Sequence, residues 1–444
     1  MRKFRFIAPV FAGMLVLAAC SGGDEGSPGA SGGGSGGGGA AAEGDGSITV
    51  TSLWGGTEQA AFEAVLAAFT EKTGIEATYE ANRTDYPTVL RTRIQGGNPP
   101  DVAIIPGIGT LRSLARDGSL ISIADLGLDQ SSFEGNYAPG ILDIGEVDGE
   151  LYAIMVKLNS KSAIWYDPSR FEDLGVSADD VADFDDLVSL TDDIKAAGAT
   201  PWALGAGDSW TLTDNFEAIY LKMNGVEAFD TLFGPDGDFT DPTVQAAIDK
   251  MLEIYTDDNV DGGIDGALST LFVDAIGKVF STSPSAELYC CGGFIGGIAT
   301  GTDVNPDLQG QEGTAIDWFP FPTVDGNGEG LVNYGGDVMA ALVNDSDVAA
   351  FMEYLTTPEA GTVWAEGGTI ISPVKGVDTS VYPTELIQKE AEQINSAESV
   401  SFDGADRLPG TDFGAVLQQA IQGNDMGPVL EEFQNQTQTA WESE

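Results

Sequence analysis

The chain has 444 residues, with 70 acidic side chains against 19 basic ones, a formal charge of −51 and no histidine. This length allows two or three domains, and a hydrophobic content of 42% is sufficient for their cores. The lack of histidine excludes histidine-ligated metals and histidine-activated nucleophiles, and the negative charge argues against nucleic-acid binding, which depends on Lys and Arg.

The first 19 residues have the pattern of a secretory signal. A basic start at residues 1–5 precedes an uncharged apolar run at residues 6–19, which has signal-peptide length and is too short to span a bilayer. The following Leu17-Ala18-Ala19-Cys20 resembles a bacterial lipobox, in which the signal is cut before a cysteine that then carries a lipid. We therefore predict a lipoprotein signal peptide at residues 1–19 and lipidation at Cys20. The alternative is an ordinary cleaved signal with an incidental cysteine.

A flexible tether is predicted after the signal, over residues 20–47. It contains 13 glycines among residues 21–47 and should behave as a coil. A glycine-rich coil of this length has a root-mean-square reach of about 30 Å. With a lipid at one end and a folded domain at the other, this segment would be a flexible linker between the membrane anchor and the domain. Cleavage would remove three basic residues, so the mature charge becomes 16 minus 70, or −54.

Beyond the tether, strand-like and helix-like segments alternate. Residues 48–53 are rich in β-forming side chains, and further strands are predicted at 75–80 and 101–105. A helix is predicted over residues 58–72, ending at Gly74, because apolar side chains recur there at helical spacing: Phe62, Val65, Leu66 and Phe69. This alternation is typical of a mostly parallel sheet with helices on both faces.

Two adjacent cysteines, Cys290 and Cys291, remain if Cys20 is lipidated. Neighbours in sequence cannot clamp distant parts of a fold together. They form either a strained vicinal disulfide or a pair of buried thiols, and we assign them no chemistry.

The sequence contains only incomplete versions of common catalytic, cofactor-binding and metal-binding motifs. Gly277-Lys278 lacks the preceding glycine of a phosphate-binding loop, and no serine triad is possible without histidine. Residues 257–268 begin like a calcium loop, but Leu268 stands where a bidentate glutamate is required. The sequence therefore predicts no catalytic residues, no cofactor and no metal.

Aromatic and acidic residues recur at the ends of predicted strands and in loops. Trp54 precedes Glu58, Trp210 precedes Asp214, and Tyr334 precedes Asp337. Aromatic faces pack against the C–H faces of sugar rings while carboxylates accept hydrogen bonds from hydroxyls, so this composition is typical of a neutral-sugar site. The alternative is that most of these rings belong to the core, which is our prediction for Trp364.

Several motifs, taken in order, resemble the extracellular solute-binding proteins of sugar ABC importers (family 1), over nearly all of residues 48–444. They are Phe69-Thr-Glu-Lys-Thr-Gly-Ile75, Gly96-Gly-Asn-Pro-Pro-Asp-Val102, Val147-Asp-Gly-Glu-Leu-Tyr152, Lys161-Ser-Ala-Ile-Trp-Tyr166, Asp317-Trp-Phe-Pro-Phe-Pro322, Gly335-Gly-Asp337, Glu353-Tyr-Leu-Thr-Thr-Pro-Glu-Ala360 and Ile371-Ser-Pro373.

Three segments are most similar to the α-glucoside-binding subgroup: residues 90–101, 210–214 and 402–409. The resemblance implies a ligand like maltose, sucrose or trehalose. One segment departs from the subgroup, because Leu288-Tyr-Cys-Cys291 stands where the subgroup carries Leu-His-Arg-Gln. The identity of the sugar therefore stays open, and Tyr289 is a candidate to stack or hydrogen-bond in place of the lost side chains.

The resemblance implies a two-lobed α/β fold of the type II periplasmic-binding-protein kind, with hinge strands and a ligand cleft between the lobes. The N-lobe is expected at residues 48–158 and 324–374, and the C-lobe at residues 159–323 and 375–444. A ligand that touches both lobes would favour the closed arrangement. The closed form would then deliver the ligand to a membrane permease driven by a cytoplasmic ATPase.

Ligand-binding residues are predicted from both lobes and from the segments between them: Trp54, Glu58, Asp85, Tyr86, Trp165, Trp210, Asp214, Tyr289, Gly335, Gly336, Asp337 and Arg407. The glycines would let a ligand approach the backbone. For Arg407, an ion pair with one of the many carboxylates is an equal alternative.

The predicted protein is a monomeric, non-enzymatic binding lipoprotein, held by its lipid on the outer face of the cell membrane or in a periplasm. Two other functions stay open. One is a binding protein of the same fold for a polyol, an amino sugar or a cation. The other is an extracellular glycosidase, which needs two carboxyl groups roughly 5–10 Å apart across the scissile bond.

Overall fold

The computed structural model of the protein describes residues 42–82, 86–105, 107–137, 140–302, 304–397 and 399–443, with the backbone alone described at 399–401. All of them fall in one compact unit. The predicted signal peptide, Cys20 and most of the predicted tether lie outside the described residues.

Helices and strands alternate through the described chain. The strands are β1 (Ser47–Ser52), β2 (Glu76–Ala81), β3 (Val102–Ile105), β4 (Glu146–Val147), β5 (Glu150–Leu151), β6 (Ala153–Ser160), β7 (Ala163–Tyr166), β8 (Leu288–Cys291), β9 (Asp317–Pro320), β10 (Leu331–Ala341) and β11 (Ser399–Phe402). The α-helices are α1 (Thr57–Thr73), α2 (Tyr86–Gln95), α3 (Ile108–Arg116), α4 (Ser131–Glu134), α5 (Pro168–Leu174), α6 (Phe184–Ala196), α7 (Trp210–Leu232), α8 (Pro242–Ile254), α9 (Gly263–Ala267), α10 (Phe272–Phe280), α11 (Ile295–Ala299), α12 (Ser346–Leu355), α13 (Pro358–Glu366), α14 (Glu385–Ser396), α15 (Phe413–Ile421) and α16 (Met426–Ser443).

The first helix forms as its sequence predicts. Helix α1 buries Phe62, Val65, Leu66 and Phe69, and it ends at Gly74, whose φ of 80° lies in the left-handed region. Many of the acidic residues act as helix N-caps, because a carboxylate accepts hydrogen bonds from the free N–H groups of the first turn. Asp167, Asp183 and Asp345 cap α5, α6 and α12 in this way.

The larger sheet has six strands, with β11, β10, β3, β1 and β2 in order and β6 also paired to β10. Strand β1 lies parallel to β2 and β3, whereas β10 runs antiparallel to β3 and β6. The predicted parallel arrangement is therefore confirmed for the β1–β2, β1–β3 and β10–β11 pairs only. The smaller sheet, β8-β7-β9, is antiparallel throughout.

Buried apolar side chains form separate clusters. We call the cluster around the larger sheet core 1; it draws on residues 48–158 and 334–374, together with Tyr382, Ala391 and Phe402. Two further clusters surround the smaller sheet and draw on residues 163–324 and 408–433, together with Leu386. We call these two together core 2. The chain thus passes from one core to the other after β6 and returns along β10.

Three residues that the sequence analysis discussed, Trp364, Cys290 and Cys291, are buried in the cores. Trp364 is 3% exposed in core 1, so its predicted core position is confirmed. Cys290 and Cys291 are joined as a vicinal disulfide and are buried in core 2. Among the helices in the described part of the chain, none has the length and apolar character to cross a bilayer.

Candidate functional site

A buried lysine on β6 gathers polar side chains from three parts of core 1. The Lys157 ammonium lies 2.5 Å from Glu58 Oε1 and 3.5 Å from Asp337 Oδ2. The Trp54 indole N–H donates to the same Asp337 oxygen at 3.2 Å. We call these four residues the Lys157 group. They meet because Asp337 pairs with Lys157 across β10 and β6, while Trp54 and Glu58 flank the start of α1.

A second lysine, immediately after β6, gathers carboxylates from α7 and from the loop after β11. The Lys161 ammonium lies 2.7 Å from Asp214 Oδ1 and 3.2 Å from Asp403 Oδ2. It also lies 5.2 Å from the centre of the Trp210 ring, within range of a cation–π interaction. We call these four residues the Lys161 group. Trp210 is 36% exposed, so part of its ring is open to solvent, whereas Asp214 is 2% exposed.

Burial and charge oppose each other in both groups. Burial works against the charge of Lys161, but the carboxylates of Asp214 and Asp403 outweigh it and raise the pKa of the ammonium. Burial raises the pKa of Asp214 to about 6, although Lys161 acts to lower it. At neutral pH we therefore take the pair as ionised. Each lysine faces two carboxylates, so each group carries an excess of negative charge.

A buried carboxylate fixes the loop after β11 against this site. Glu217 on α7 accepts hydrogen bonds from the backbone N–H groups of Gly404 and Ala405, at 2.8 and 2.9 Å. It also accepts one from the Asn333 side chain at 2.9 Å. Burial raises the pKa of Glu217 well above its ordinary value. This network holds Asp403, the neighbour of Gly404, within reach of Lys161.

Four of the predicted ligand-binding aromatics lie inside the cores: Trp54, Tyr86, Trp165 and Tyr289. Tyr86 and Trp165 have clear structural roles. The Tyr86 hydroxyl is 2.7 Å from the Ile104 carbonyl and 3.0 Å from the Thr51 carbonyl, so it joins α2 to the larger sheet. The Trp165 indole donates to the Gly292 carbonyl at 2.9 Å, and its ring packs against Gly296. Both side chains are below 5% exposed.

The glycines of β10 make room for protein atoms. A Cβ on Gly335 would lie 2.7 Å from Lys161 Cε, and one on Gly336 would lie 2.1 Å from the Lys157 carbonyl oxygen. We predicted that these glycines let a ligand approach the backbone. In the structure, the missing side chains also allow the Lys161 side chain and the β6 backbone to pack against β10, and the predicted ligand role of the glycines stays a prediction.

Arg407 has the alternative role that the sequence left open, an ion pair. Its guanidinium lies 2.8 Å from Asp230 Oδ1 and donates to the Phe402 carbonyl at 2.6 Å.

Tyr289 lies on β8 opposite Trp165 and is 2% exposed. Its hydroxyl makes no hydrogen bond with any residue that the structure describes, and burial raises its pKa. Asp85 lies outside the described residues.

The sequence reasoning missed Lys157, Lys161 and Asp403. The two lysines carry a signal in retrospect, because they interrupt a stretch of apolar and small residues, 153–164, in a chain with few cations. A buried cation needs a carboxylate, so such a position indicates an internal ion pair. Asp403 has no comparable signal, since it is one of 70 acids. Within the described ranges, no cluster of acidic or cysteine side chains has an arrangement that could hold a metal ion.

Sequence comparison finds relatives along most of the chain. The family profile "Bacterial extracellular solute-binding protein" matches residues 54–286. "Osmoprotective compounds-binding protein GgtB" of Synechocystis sp. is 31% identical over 413 residues and covers 92% of both chains. "Alpha-glucosides-binding periplasmic protein AglE" of Rhizobium meliloti is 31% identical over 379 residues, covering 82% of this chain and 80% of its own.

Structural comparison finds the same architecture. A solved "Chitin oligosaccharide binding protein" superimposes with a TM-score of 0.72 and covers 89% of this chain and 98% of its own. It is 20% identical, so the likeness concerns the fold.

Proposed function

Because the chain belongs to the bacterial extracellular solute-binding proteins, we propose that it captures a neutral carbohydrate, an α-glucoside or a related di- or oligosaccharide, and delivers it to the permease of an ABC importer. The proposed ligand class is supported by one relative, which is named for binding alpha-glucosides. The other relative is named for binding osmoprotective compounds. A polyol, one of the alternatives left open by the sequence, is the second candidate.

The proposed lobes are residues 48–158 with 324–374, and residues 159–323 with 375–444. Support comes from the separate hydrophobic clusters, because core 1 and core 2 draw on nearly these segments. Helix α14 contributes Ala391 to core 1 and Leu386 to core 2, so we place it at the junction. Strands β6 and β10 would serve as hinge segments, since the chain changes core at their ends.

The proposed ligand position lies between the Lys157 group and the Lys161 group. The observation that carries it is their juxtaposition: two lysine–carboxylate groups, the first beside core 1 and the second reaching α7 of core 2, stand at the two ends of one short segment, beside a partly exposed Trp210. Carboxylates bound to lysine keep lone pairs for sugar hydroxyls, and the Trp210 face suits the C–H face of a ring. The free Tyr289 hydroxyl would add a donor from core 2.

Capture would proceed by closure of the lobes. A sugar held by carboxylates from only one lobe makes half of its contacts, so the open form binds it weakly. Closure adds the second set of contacts, and the ligand therefore shifts the population toward the closed form. No bond is made or broken, in keeping with relatives that are binding proteins.

The anchor is also a proposal. Cleavage before Cys20 and lipidation of its thiol would tether the monomeric protein to the outer face of the membrane. The lipobox-like Leu17-Ala18-Ala19-Cys20 and the glycine-rich segment after it support this.

The proposed ligand class can be tested by calorimetry on the protein produced without residues 1–19. The panel holds maltose, trehalose, sucrose, their trisaccharide relatives, glycerol and other polyols. We expect one or more α-linked saccharides to bind and raise the melting temperature. Trp210→Ala should weaken that binding by about tenfold or more, because a stacked ring and a cation–π partner are lost. Tyr152→Ala is the matched control, since this aromatic hydrogen-bonds only to Glu150 among the described residues.

Binding of polyols alone would favour the second candidate. Release of reducing sugar from the oligosaccharides would instead indicate a glycosidase. A panel in which no compound shifts the melting temperature would contradict the proposal.

A further inference from the structure

A cavity of about 510 Å³ lies between segments of the two cores, and its lining residues are not among the ligand contacts that we predicted. One wall comes from α2 and the start of α3, and the other from residues 405–410 and the end of α16. Its volume falls in the roughly 300–1,000 Å³ range of small-molecule sites. Most of its lining residues are small: Gly107, Gly109, Thr110, Ser113, Ala405, Gly410, Ala440 and Ser443.

The two walls touch at one edge of the cavity. Arg112 on α3 donates to the Arg407 carbonyl at 2.7 Å, and its guanidinium lies 4.7 Å from the centre of the Trp441 ring on α16. Gly109 packs so close to the Leu408 carbonyl that an added Cβ would be 3.2 Å from it. The cavity is therefore defined by the way the two cores meet, and it would change shape when they separate.

The wall on α2 carries a feature uncommon in the described part of the chain, an arginine that binds none of the described carboxylates. Arg91 lines the cavity, is partly buried, and makes no ion pair or hydrogen bond with any residue that the structure describes. Most other described arginines and lysines bind a carboxylate, including Arg93, two positions along the same helix, which binds Glu80. In a chain with 70 acids, an arginine left without one has its donors available for something else.

Asp406, on the opposite wall, connects the cavity to the Lys161 group. Its backbone N–H donates to Asp403 Oδ1 at 3.2 Å, and Asp403 in turn binds Lys161. Asp406 itself lines the cavity. The loss of solvent around the Asp406 carboxyl group and the charge of the neighbouring Asp403 raise its pKa. Asp214 and Asp337 act in the same direction, whereas Lys161 acts to lower the pKa. Charged residues of both groups are therefore close to this wall.

We propose that this cavity is a second saccharide subsite, which takes the third residue of an oligosaccharide whose first two lie between the Lys157 and Lys161 groups. This inference rests on the proposed function. The Arg91 guanidinium would donate a pair of hydrogen bonds to adjacent hydroxyls, because its planar fork matches two neighbouring oxygens. Asp406 would accept from the opposite side, and the hydroxyls of Thr110 and Ser113 can do both.

The ligand class follows from this arrangement. A disaccharide fills the position between the two lysine groups, and a trisaccharide gains the contacts of the cavity as well. The cavity shares Gly410, Ala440 and Ser443 with a wider groove of about 870 Å³ along α16, so a longer chain has a path outward. The protein should therefore prefer saccharides of three or more residues.

The test compares matched di- and trisaccharides by calorimetry: maltose with maltotriose, and sucrose with raffinose. For the wild-type protein we expect a trisaccharide to bind about tenfold more tightly than its disaccharide, the gain from one or two charge-assisted hydrogen bonds. Arg91→Gln should remove this advantage and leave disaccharide affinity unchanged. Arg93→Gln, on the same helix, is the control and should keep it. Ala440→Trp, which fills the cavity from α16, should act like Arg91→Gln.

Three results would overturn the subsite. The first is equal affinity for both lengths in the wild-type protein. The second is an Arg91→Gln variant that keeps the trisaccharide advantage, and the third is one that weakens both lengths equally. In each case a bound disaccharide leaves the proposed function standing. If no saccharide binds, the proposed function fails and the subsite fails with it.

Discussion

Lys161 shows how a single residue can organise a site in an acidic protein. Its ammonium is surrounded by Asp214, Asp403 and the Trp210 ring, and only the missing side chain of Gly335 leaves space for its stem. Removing one partner of a buried ion pair costs about 3–5 kcal/mol, because the other charge is left uncompensated. The position therefore constrains both the fold and the proposed ligand contacts, and its neighbours cannot be changed independently.

A buried carboxylate near this site makes stability depend on pH. Glu390 on α14 is 5% exposed and accepts a hydrogen bond from the Ser160 N–H at 2.7 Å. Burial raises its pKa from the ordinary 4.5 to about 7. The folded protein therefore takes up this proton at a higher pH than the unfolded chain does. Its contribution to stability rises as pH falls from 7 toward 4.5 and is constant above and below that window.

We expect Glu390→Gln to stabilise the protein at pH 8 by about 2–3 kcal/mol, because the neutral amide keeps the acceptor and avoids the buried charge. The difference should shrink as the pH falls and vanish well below pH 4.5, where both the folded and the unfolded wild-type chains are protonated at this position. Urea denaturation at a series of pH values measures it. The exposed Glu392 on the same helix supplies the control, Glu392→Gln, which should follow the wild-type curve. A pH-independent difference for Glu390→Gln would disprove the raised pKa.

At the level of elements, β10 does the most to join the parts of the site. It pairs with β3 and β11 along one edge and with β6 along the other, and its register with β6 shifts between Asp337 and Val338. Such an irregularity locally changes the direction of side chains on a strand. Asp337, at the shift, binds both Lys157 and Trp54.

The close packing of β10 on β6 gives a prediction about Gly336. We expect Gly336→Ala to destabilise the protein by about 2 kcal/mol or more, because its Cβ would overlap the Lys157 carbonyl oxygen and force the strands apart. Gly277→Ala in α10 is the matched control: its Cβ would meet no atom within 4 Å. There alanine should stabilise the helix by about 0.5–1 kcal/mol. Equal melting temperatures for the two variants would be inconsistent with tight packing at Gly336.

At the scale of the whole molecule, charge is the dominant property. A formal charge of −51 on 444 residues places many like charges on one compact surface, where they repel one another. Many of the acids have local structural roles as helix caps or lysine partners. The exposed acids that remain would repel one another and like-charged neighbouring molecules, and dissolved salt would weaken that repulsion.

We therefore expect the melting temperature to rise by several degrees between 0.05 and 1 M NaCl, because the Debye length shrinks from above 10 Å to about 3 Å and the repulsion is screened. Differential scanning fluorimetry measures the change. KCl should have the same effect at equal ionic strength, which separates screening from binding of a particular ion. A melting temperature that stays flat or falls with salt would contradict this account.

Much of the fold could be predicted because local patterns specify local structure. The apolar spacing in α1 and its stop at Gly74 depend on nearest neighbours along the chain, and they are confirmed. The order of motifs predicted the family, which the comparisons confirm. The antiparallel pairing of β7 with β8 and β9 could not be predicted in this way, since it joins segments more than 100 residues apart.

The site was predicted less completely, for a physical reason. Aromatic rings at strand ends look alike in a sequence, yet Trp165 is buried and hydrogen-bonded while Trp210 is partly open. Burial depends on all the neighbours that folding brings together. The sequence by itself determined the family, the charge and the chemical groups available. The tertiary structure decided which groups meet, because Trp54 and Asp337 are 283 positions apart and become partners only when β10 returns to β6.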